Sequence, residues 1–136
     1  MKAKRRSGCP ISFALDLFGD KWSLLIMRDL LFLGKKNYGE FLNSEEGIST
    51  NILASRLEQL ECHDLIRKTE DPENKKKFVY SPTKKALDLI PMLLEMIKWS
   101  AKYDPKTAAP ASFTKRIEQD REKLIAEIRI QFREVK

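Results

Sequence analysis

The chain has a single histidine, His63, only two cysteines, Cys9 and Cys62, and no apolar run of membrane-spanning length. Each scarcity removes a class of function. With one imidazole, no Ser/His/Asp set and no paired carboxylates beside a Gly-rich loop, there is no constellation for nucleophilic or acid–base catalysis, so an enzyme is not expected. Cys62-His63 has no two further ligands at a recognisable spacing, so neither a metal site nor a cofactor is expected. Two distant cysteines make no disulfide framework. The opening Met1-Lys2-Ala3-Lys4-Arg5-Arg6 is basic but lacks the apolar core and small-residue cleavage site of a signal peptide. Together with the missing membrane span, this places the expected chain in the cytoplasm, with no membrane partner. No internal repeat or low-complexity tract appears.

What is present is length, charge and helical periodicity. At 136 residues the chain suits one domain with its own core. The net charge of +6 favours a polyanionic partner. Residues 1–8 read as a basic arm, either a solvated tail or an electrostatic arm on nucleic acid. Pro10 opens a first helix whose apolar face is Phe13, Ala14, Leu17 and Phe18, ended by Gly19. Asp20 caps a second helix, with Trp22, Leu25, Ile26, Leu30 and Leu33 at helical spacing and Gly34 as the stop. Because Leu24, Met27, Leu31 and Phe32 fill in other sides, this helix is expected in the middle of the domain. Asn37 with Glu40 forms a capping box before a short helix bearing Tyr38, Phe41 and Leu42.

The stretch Gly47 to Arg67 organises the rest. Gly47 makes a turn and Ser49 an N-cap; Leu53, Leu57 and Leu60 then form one apolar stripe. The opposite face carries Asn51, Ser55 and Glu58, flanked by Thr50 and Ala54. Over two turns that face is small and hydrogen-bonding, suited to approach a base edge or a phosphate. A short helix, a Gly-containing turn and such a second helix make a helix-turn-helix pattern. Strands are expected at Asp64–Thr69 and Lys76–Ser81 around the turn Asp71-Pro72-Glu73-Asn74, with Lys75, Lys76 and Lys77 near the tip. A hairpin directly after the second helix is the wing of a winged helix. Thr83 then caps a long helix to about Tyr103, bent locally by Pro91 and bearing two apolar stripes, one suited to a dimer seam. After a linker, a last amphipathic helix is expected from about Thr114 to Glu134, with Phe113, Ile117, Leu124, Ile128 and Val135 as its apolar residues.

Taken in order, Cys9-Pro10, Gly19-Asp20-Lys21-Trp22, Tyr38-Gly39-Glu40-Phe41, Gly47-Ile48-Ser49, Leu57, Leu60-Glu61, Asp64-Leu65-Ile66, Tyr80-Ser81-Pro82-Thr83, Pro91 and Trp99 give the chain its family character. It resembles the HxlR-type winged-helix transcriptional regulators, relatives of the MarR group, from about Cys9 to Tyr103. The fold class implied is α+β, mostly α: a winged helix-turn-helix with a two-stranded wing hairpin and extra C-terminal dimerisation helices. The expected divisions are an arm at 1–8, the winged-helix domain at 9–103, a linker at 104–111 and a C-terminal amphipathic helix at 112–136. The resemblance implies a homodimeric, sequence-specific DNA binder, read as a repressor on an inverted repeat, with dimers formed through the first helix and the long helix after the wing. Relatives often carry basic residues at the positions of Asn51 and Glu58, which this chain lacks, and Gly where Ala86 stands.

On double-stranded DNA, Thr50, Asn51, Ala54 and Ser55 are expected at base edges and Ser49 with the helix N-terminus at a phosphate. Arg56 reads either as a backbone contact or as a solvent-facing side chain over the core rim, and Lys75, Lys76 and Lys77 as wing contacts. Cys9 has two readings: a small buried residue at the start of the first helix, or a redox and electrophile sensor, since helix N-termini favour thiolates. Two other functions compete: a winged-helix protein-assembly module without DNA binding, and a regulator gated by a small molecule among Phe18, Trp22, Met92, Met96 and Trp99 at the dimer helices.

Overall fold

The computed structural model describes residues 7–132, so most of the basic arm, with Lys4, Arg5 and Arg6, lies outside the described residues, as does Val135. The chain divides into two compact units, one ending at Ala86 and the other beginning at Leu87.

The first unit is a winged helix-turn-helix. Its helices are α1 (Pro10–Phe18), α2 (Lys21–Leu31), α3 (Tyr38–Leu42) and α4 (Thr50–Cys62), followed by strands β1 (Ile66–Asp71) and β2 (Asn74–Pro82). A single helical turn, α5 (Lys84–Leu87), crosses the boundary between the units. Local chemistry sets most of the ends. The Asp20 carboxylate accepts the amides of Trp22 and Ser23, both at 3.0 Å, and starts α2. The capping box of α3 is complete: Asn37 Oδ1 accepts the Glu40 amide at 2.9 Å while Glu40 Oε1 accepts the Asn37 amide at 3.3 Å. Ser49 Oγ accepts the Ile52 amide at 3.2 Å and starts α4. Gly47, at φ +71°, makes the turn between α3 and α4.

The core forms around α2, where Ile26, Met27, Leu30 and Leu31 are buried, together with Phe41, Ile48, Leu53, Leu57 and Leu60. Each such side chain stabilises the fold by roughly 1.5–3 kcal/mol. Asp29, 2% exposed, is the charged exception. Arg28 compensates it through Nε at 3.0 Å and Nη2 at 2.8 Å, and Lys35 Nζ lies 3.7 Å away. Of the face expected on α1, Phe18 is buried, Ala14 and Leu17 are half-buried, and Phe13 is exposed.

The end of α4 delays the wing. The Asp64 amide donates to the Glu61 carbonyl and the Leu65 amide to Leu60, a Schellman closure with Asp64 at φ +59°. Those two residues are therefore spent on the helix end, and the first strand starts at Ile66, not at Asp64 as expected. The strands pair antiparallel, Ile66 opposite Pro82 and Glu70 opposite Phe78, with an irregularity at Glu70/Asp71. Where a third strand would lie, the Tyr80 amide donates to the Lys36 carbonyl at 2.7 Å. Thr83 Oγ1 donates to the Asp64 carbonyl at 2.6 Å and accepts the Ala86 amide at 3.2 Å, locking the strand's exit beside the end of α4.

The second unit holds α6 (Ile90–Tyr103), α7 (Ala111–Gln119) and α8 (Arg121–Ile130). Two expectations fail here. The helix from Thr83 to Tyr103 does not bend at Pro91 but is interrupted at Asp88 and Leu89, leaving Pro91 in the first turn of α6. Inside a helix, the proline ring meets the carbonyl of the residue four before it and supplies no amide, so a fresh start is the cheaper solution. The helix expected from Thr114 to Glu134 is two, broken at Asp120, whose φ and ψ are −142° and 34°. The Asp120 carboxylate instead accepts Nε and Nη2 of Arg116, at 3.2 and 3.0 Å. Short polar side chains that bond locally give poor helix interiors. Further ion pairs, Arg116–Glu127, Arg121–Glu95 and Lys98–Glu118, link the three helices. No described helix is long and apolar enough to cross a membrane.

Candidate nucleic-acid interface

Burial alternates along α4 as a recognition helix requires. Leu53, Leu57 and Leu60 are buried, while Thr50, Asn51, Ala54, Ser55 and Glu58 are exposed. Ser49 is exposed at the N-terminal end, its hydroxyl already holding the Ile52 amide. Tyr38 on α3 donates its hydroxyl to the Thr50 carbonyl at 3.1 Å, fixing the start of α4 against the preceding helix. The sequence places Tyr38 on the short helix but does not announce this bond, whose partner lies twelve residues away, beyond the reach of local pattern.

Arg56 lies half-buried at the edge of α4, paired with the start of α2. Its side chain is about one quarter exposed, and Nε donates to Asp20 Oδ2 at 2.9 Å while Nη1 donates to Ser55 Oγ at 3.2 Å. Burial pushes the pKa of the Asp20 carboxyl up, but the hydroxyl and amide of Ser23, the Trp22 amide and the Arg56 guanidinium outweigh it, so the group stays below the ordinary carboxylate range.

The wing lysines are exposed and follow Asn74 at the start of β2, near the tip but not at the apex itself. The apex is acidic: Asp71 Oδ1 accepts the Glu73 amide at 3.0 Å across the turn. Strand alternation puts Lys76 on the side of Phe78 and Tyr80, and Lys75 and Lys77 on the other. A cleft of about 650 Å³ separates the wing from the helices, lined by Tyr38 of α3, Ala54, Glu58 and Glu61 of α4, and Lys68, Lys76, Lys77 and Phe78 of the hairpin. Lys68 Nζ stands 4.3 Å from the centre of the Phe78 ring. Burial first, and then the charges of Glu61 and Tyr38, push the Tyr80 phenol upward. The recognition helix and the wing thus form two walls of one groove, a juxtaposition of Lys68 with Glu61 that the sequence did not suggest.

Residues 17–108 match the HxlR-like helix-turn-helix family. The chain belongs to that family. It is 39% identical over 90 residues to an HTH-type transcriptional regulator of Synechocystis, covering 66% of each chain, so it spans about two thirds of that relative's length. Among solved structures it is similar to PA1607, a candidate transcription factor, with a TM-score of 0.69 and 34% identity over 77% of this chain and 73% of that one. It is also similar to the redox regulator HypR in its oxidised form, with a TM-score of 0.61 and 28% identity over 69% of this chain and 96% of that one. As an HxlR-like protein it is a transcriptional regulator of the helix-turn-helix type and not an enzyme. Among the described residues, no three of His, Cys, Asp and Glu gather as a metal site would need.

Cys9 is not the small buried residue of one expectation. It occupies the N-cap position of α1 with its thiol exposed and bonded to no helix amide, while its own amide donates to Ser7 Oγ at 3.2 Å. Of the residues expected to line an effector cavity, Phe18 is buried and Trp22 half-buried in the first unit; in the second, Met92 is half-buried and Met96 and Trp99 are exposed.

Proposed function

We propose that the protein is a homodimeric repressor that binds an inverted-repeat operator, each subunit laying α4 in a major groove and its wing along the neighbouring backbone. The observation that carries this reading is the exposed small-sided face of α4, Thr50, Asn51, Ala54 and Ser55, beside a lysine-bearing strand β2, with Ala54, Lys76 and Lys77 lining one cleft. Thr50, Asn51, Ala54 and Ser55 read base edges, and Asn51 makes paired bonds to an adenine. Ser49 at the start of α4 meets a phosphate, where the helix dipole is favourable. Lys75, Lys76 and Lys77 supply sequence-independent affinity. Occupying a promoter in this way excludes polymerase, and the place of action is the cytoplasm, with the chromosome.

Dimerisation is supported by apolar side chains left in solvent. Ile11 is 70% exposed and Phe13 51% on α1, and Trp99 is 65% and Tyr103 64% exposed on α6. Such surfaces are ordinarily covered by another subunit. The recognition helices then stand roughly 34 Å apart, one duplex turn. An electrophile or oxidant acting at Cys9 is the effector reading with support, because the thiol is exposed and the similar protein HypR is named a redox regulator.

Selection of duplexes from a random pool, followed by light scattering of the complex, tests the reading. The expected result is an enriched inverted repeat bound by two copies. Enrichment of no sequence, with affinity unchanged by salt, overturns it in favour of a protein-assembly module.

A further inference from the structure

Arg56 is the one cationic side chain of α4, and the structure turns it inward. Its anchor, Asp20, also starts α2: Oδ2 accepts the amides of Trp22 and Ser23 as well as Arg56 Nε, and Oδ1 accepts the Ser23 hydroxyl at 2.5 Å. The carboxylate is therefore fixed by its own helix before Arg56 reaches it. The other end of the guanidinium holds the hydroxyl of Ser55, a residue of the exposed face.

Beyond the Tyr38–Thr50 bond at its first turn, α4 is secured to the core by Leu53, Leu57 and Leu60 through apolar contact, which is non-directional and leaves the roll of the helix body weakly specified. A directional bond at the rim of that contact specifies it. We propose that Arg56 is a positioning residue that sets the roll of the recognition helix against the start of α2 and aims the Ser55 hydroxyl, and that it does not hold a DNA phosphate. The proposal rests on the DNA-binding reading above. A recognition surface has to be held within about 0.5 Å and 10–20° of its productive geometry, so a loosened roll misplaces Asn51 and Ser55 together.

The two roles predict opposite signs for one substitution. Asp20→Ser keeps a good N-cap for α2 but is too short and uncharged to hold Arg56. If Arg56 is a phosphate contact restrained by Asp20, freeing it tightens binding to every duplex. If it positions α4, freeing it weakens binding to the selected operator only. The experiment uses the full chain, with Asp20→Ser, Arg56→Gln and the double variant checked for native circular dichroism. Affinity is measured for the selected operator and for a scrambled duplex over a range of salt. Each single variant is expected to lose about tenfold on the operator, as the misplacement of one base-reading pair would cost. The double variant is expected to lose no more than either single, with scrambled-duplex affinity and salt slope unchanged throughout. A salt slope lowered by about 0.9 in Arg56→Gln, the signature of one lost phosphate contact, or tighter binding by Asp20→Ser, overturns the proposal. A wild-type protein that binds no duplex defeats the DNA-binding reading instead, so the two failures are distinct.

Discussion

The recognition helix and the wing face one another across a groove, yet they are built from different chemistry. Between Thr50 and Cys62 there is one cation, Arg56, against Glu58 and Glu61, and the cation is already engaged by Asp20. From Ile66 to Pro82 there are five basic side chains, Arg67, Lys68, Lys75, Lys76 and Lys77, against three acidic ones. Phosphate affinity scales with the number of cations that can displace counterions, and α4 offers almost none. Base readout needs short hydrogen-bonding groups on a fixed frame, and the wing has few. On the proposed DNA-binding reading, the helix chooses among sequences and the hairpin holds whichever duplex is chosen.

The sharpest way to break this division is to remove the charge from one side of the groove. Replacing Lys75, Lys76 and Lys77 together by Ala is expected to weaken binding to all duplexes alike, by roughly a hundredfold at moderate salt, and to lower the salt slope by about 2.7 if each lysine meets a phosphate. Fluorescence anisotropy across a salt series measures both. Single substitutions sharpen the result, since Lys76 lies on the opposite face of β2 from Lys75 and Lys77. A triple variant whose loss is confined to one operator would assign readout to the wing.

The complementary change belongs to the helix. Asn51→Ala is expected to cost about 1–3 kcal/mol of discrimination at one base pair, with binding to unrelated DNA and the salt slope left as they were. Competition between operator variants, altered one base pair at a time, reads this directly. Equal preference profiles for the variant and the parent would remove Asn51 from the reading surface.

How much of this division was legible beforehand follows from the range of the interactions involved. The caps at Asp20, Asn37 and Ser49 and the glycine turn at Gly47 were readable because each is a bond between neighbours a few residues apart, and the leucine stripe of α4 because burial follows a fixed period. The interruptions at Asp88–Leu89 and Asp120 were not, because apolar spacing continues through a break and conceals it. Arg56–Asp20 and Tyr38–Thr50 join residues 36 and 12 apart, so no local pattern announces them. The turn at Pro72 and Glu73, with the wing lysines close behind it, follows from local turn chemistry, whereas β1 starts two residues late because Asp64 and Leu65 close α4.

Asp20 stands under the helix side of the comparison and gives it a pH dependence. Its carboxyl titrates below the ordinary value of 3.8 in the folded protein. A depressed folded value means the unfolded chain takes up the proton first, so the stabilisation is complete above that ordinary value and is lost as the pH falls through the folded one. Urea unfolding at neutral pH and in the acid range is therefore expected to show a smaller acid loss in Asp20→Ser than in the parent. An identical acid loss in the two proteins would mean that other carboxylates set the acid limit.

The smallest expected effect lies at the joint between the two walls. Asp64 ends α4 and, by its closure, sets where β1 begins, and it does so at φ +59°. Such a conformation costs an ordinary L residue roughly 1–2 kcal/mol, less for Asp or Asn, and Gly nothing from its side chain. Asp64→Ala is accordingly expected to lower stability by about 1 kcal/mol, and Asp64→Gly to leave it level or slightly raised, because relief of the left-handed strain is offset by the freer unfolded chain. Asp64 enters these bonds through its main chain alone, its amide donating to the Glu61 carbonyl and its carbonyl accepting Thr83 Oγ1 at 2.6 Å, so neither change removes them. Chemical unfolding of the three proteins measures the order. If Ala is tolerated as well as Gly, the conformation at Asp64 is not what fixes the joint, and the position of the wing relative to α4 must be held by Thr83 and the Tyr80–Lys36 bond alone.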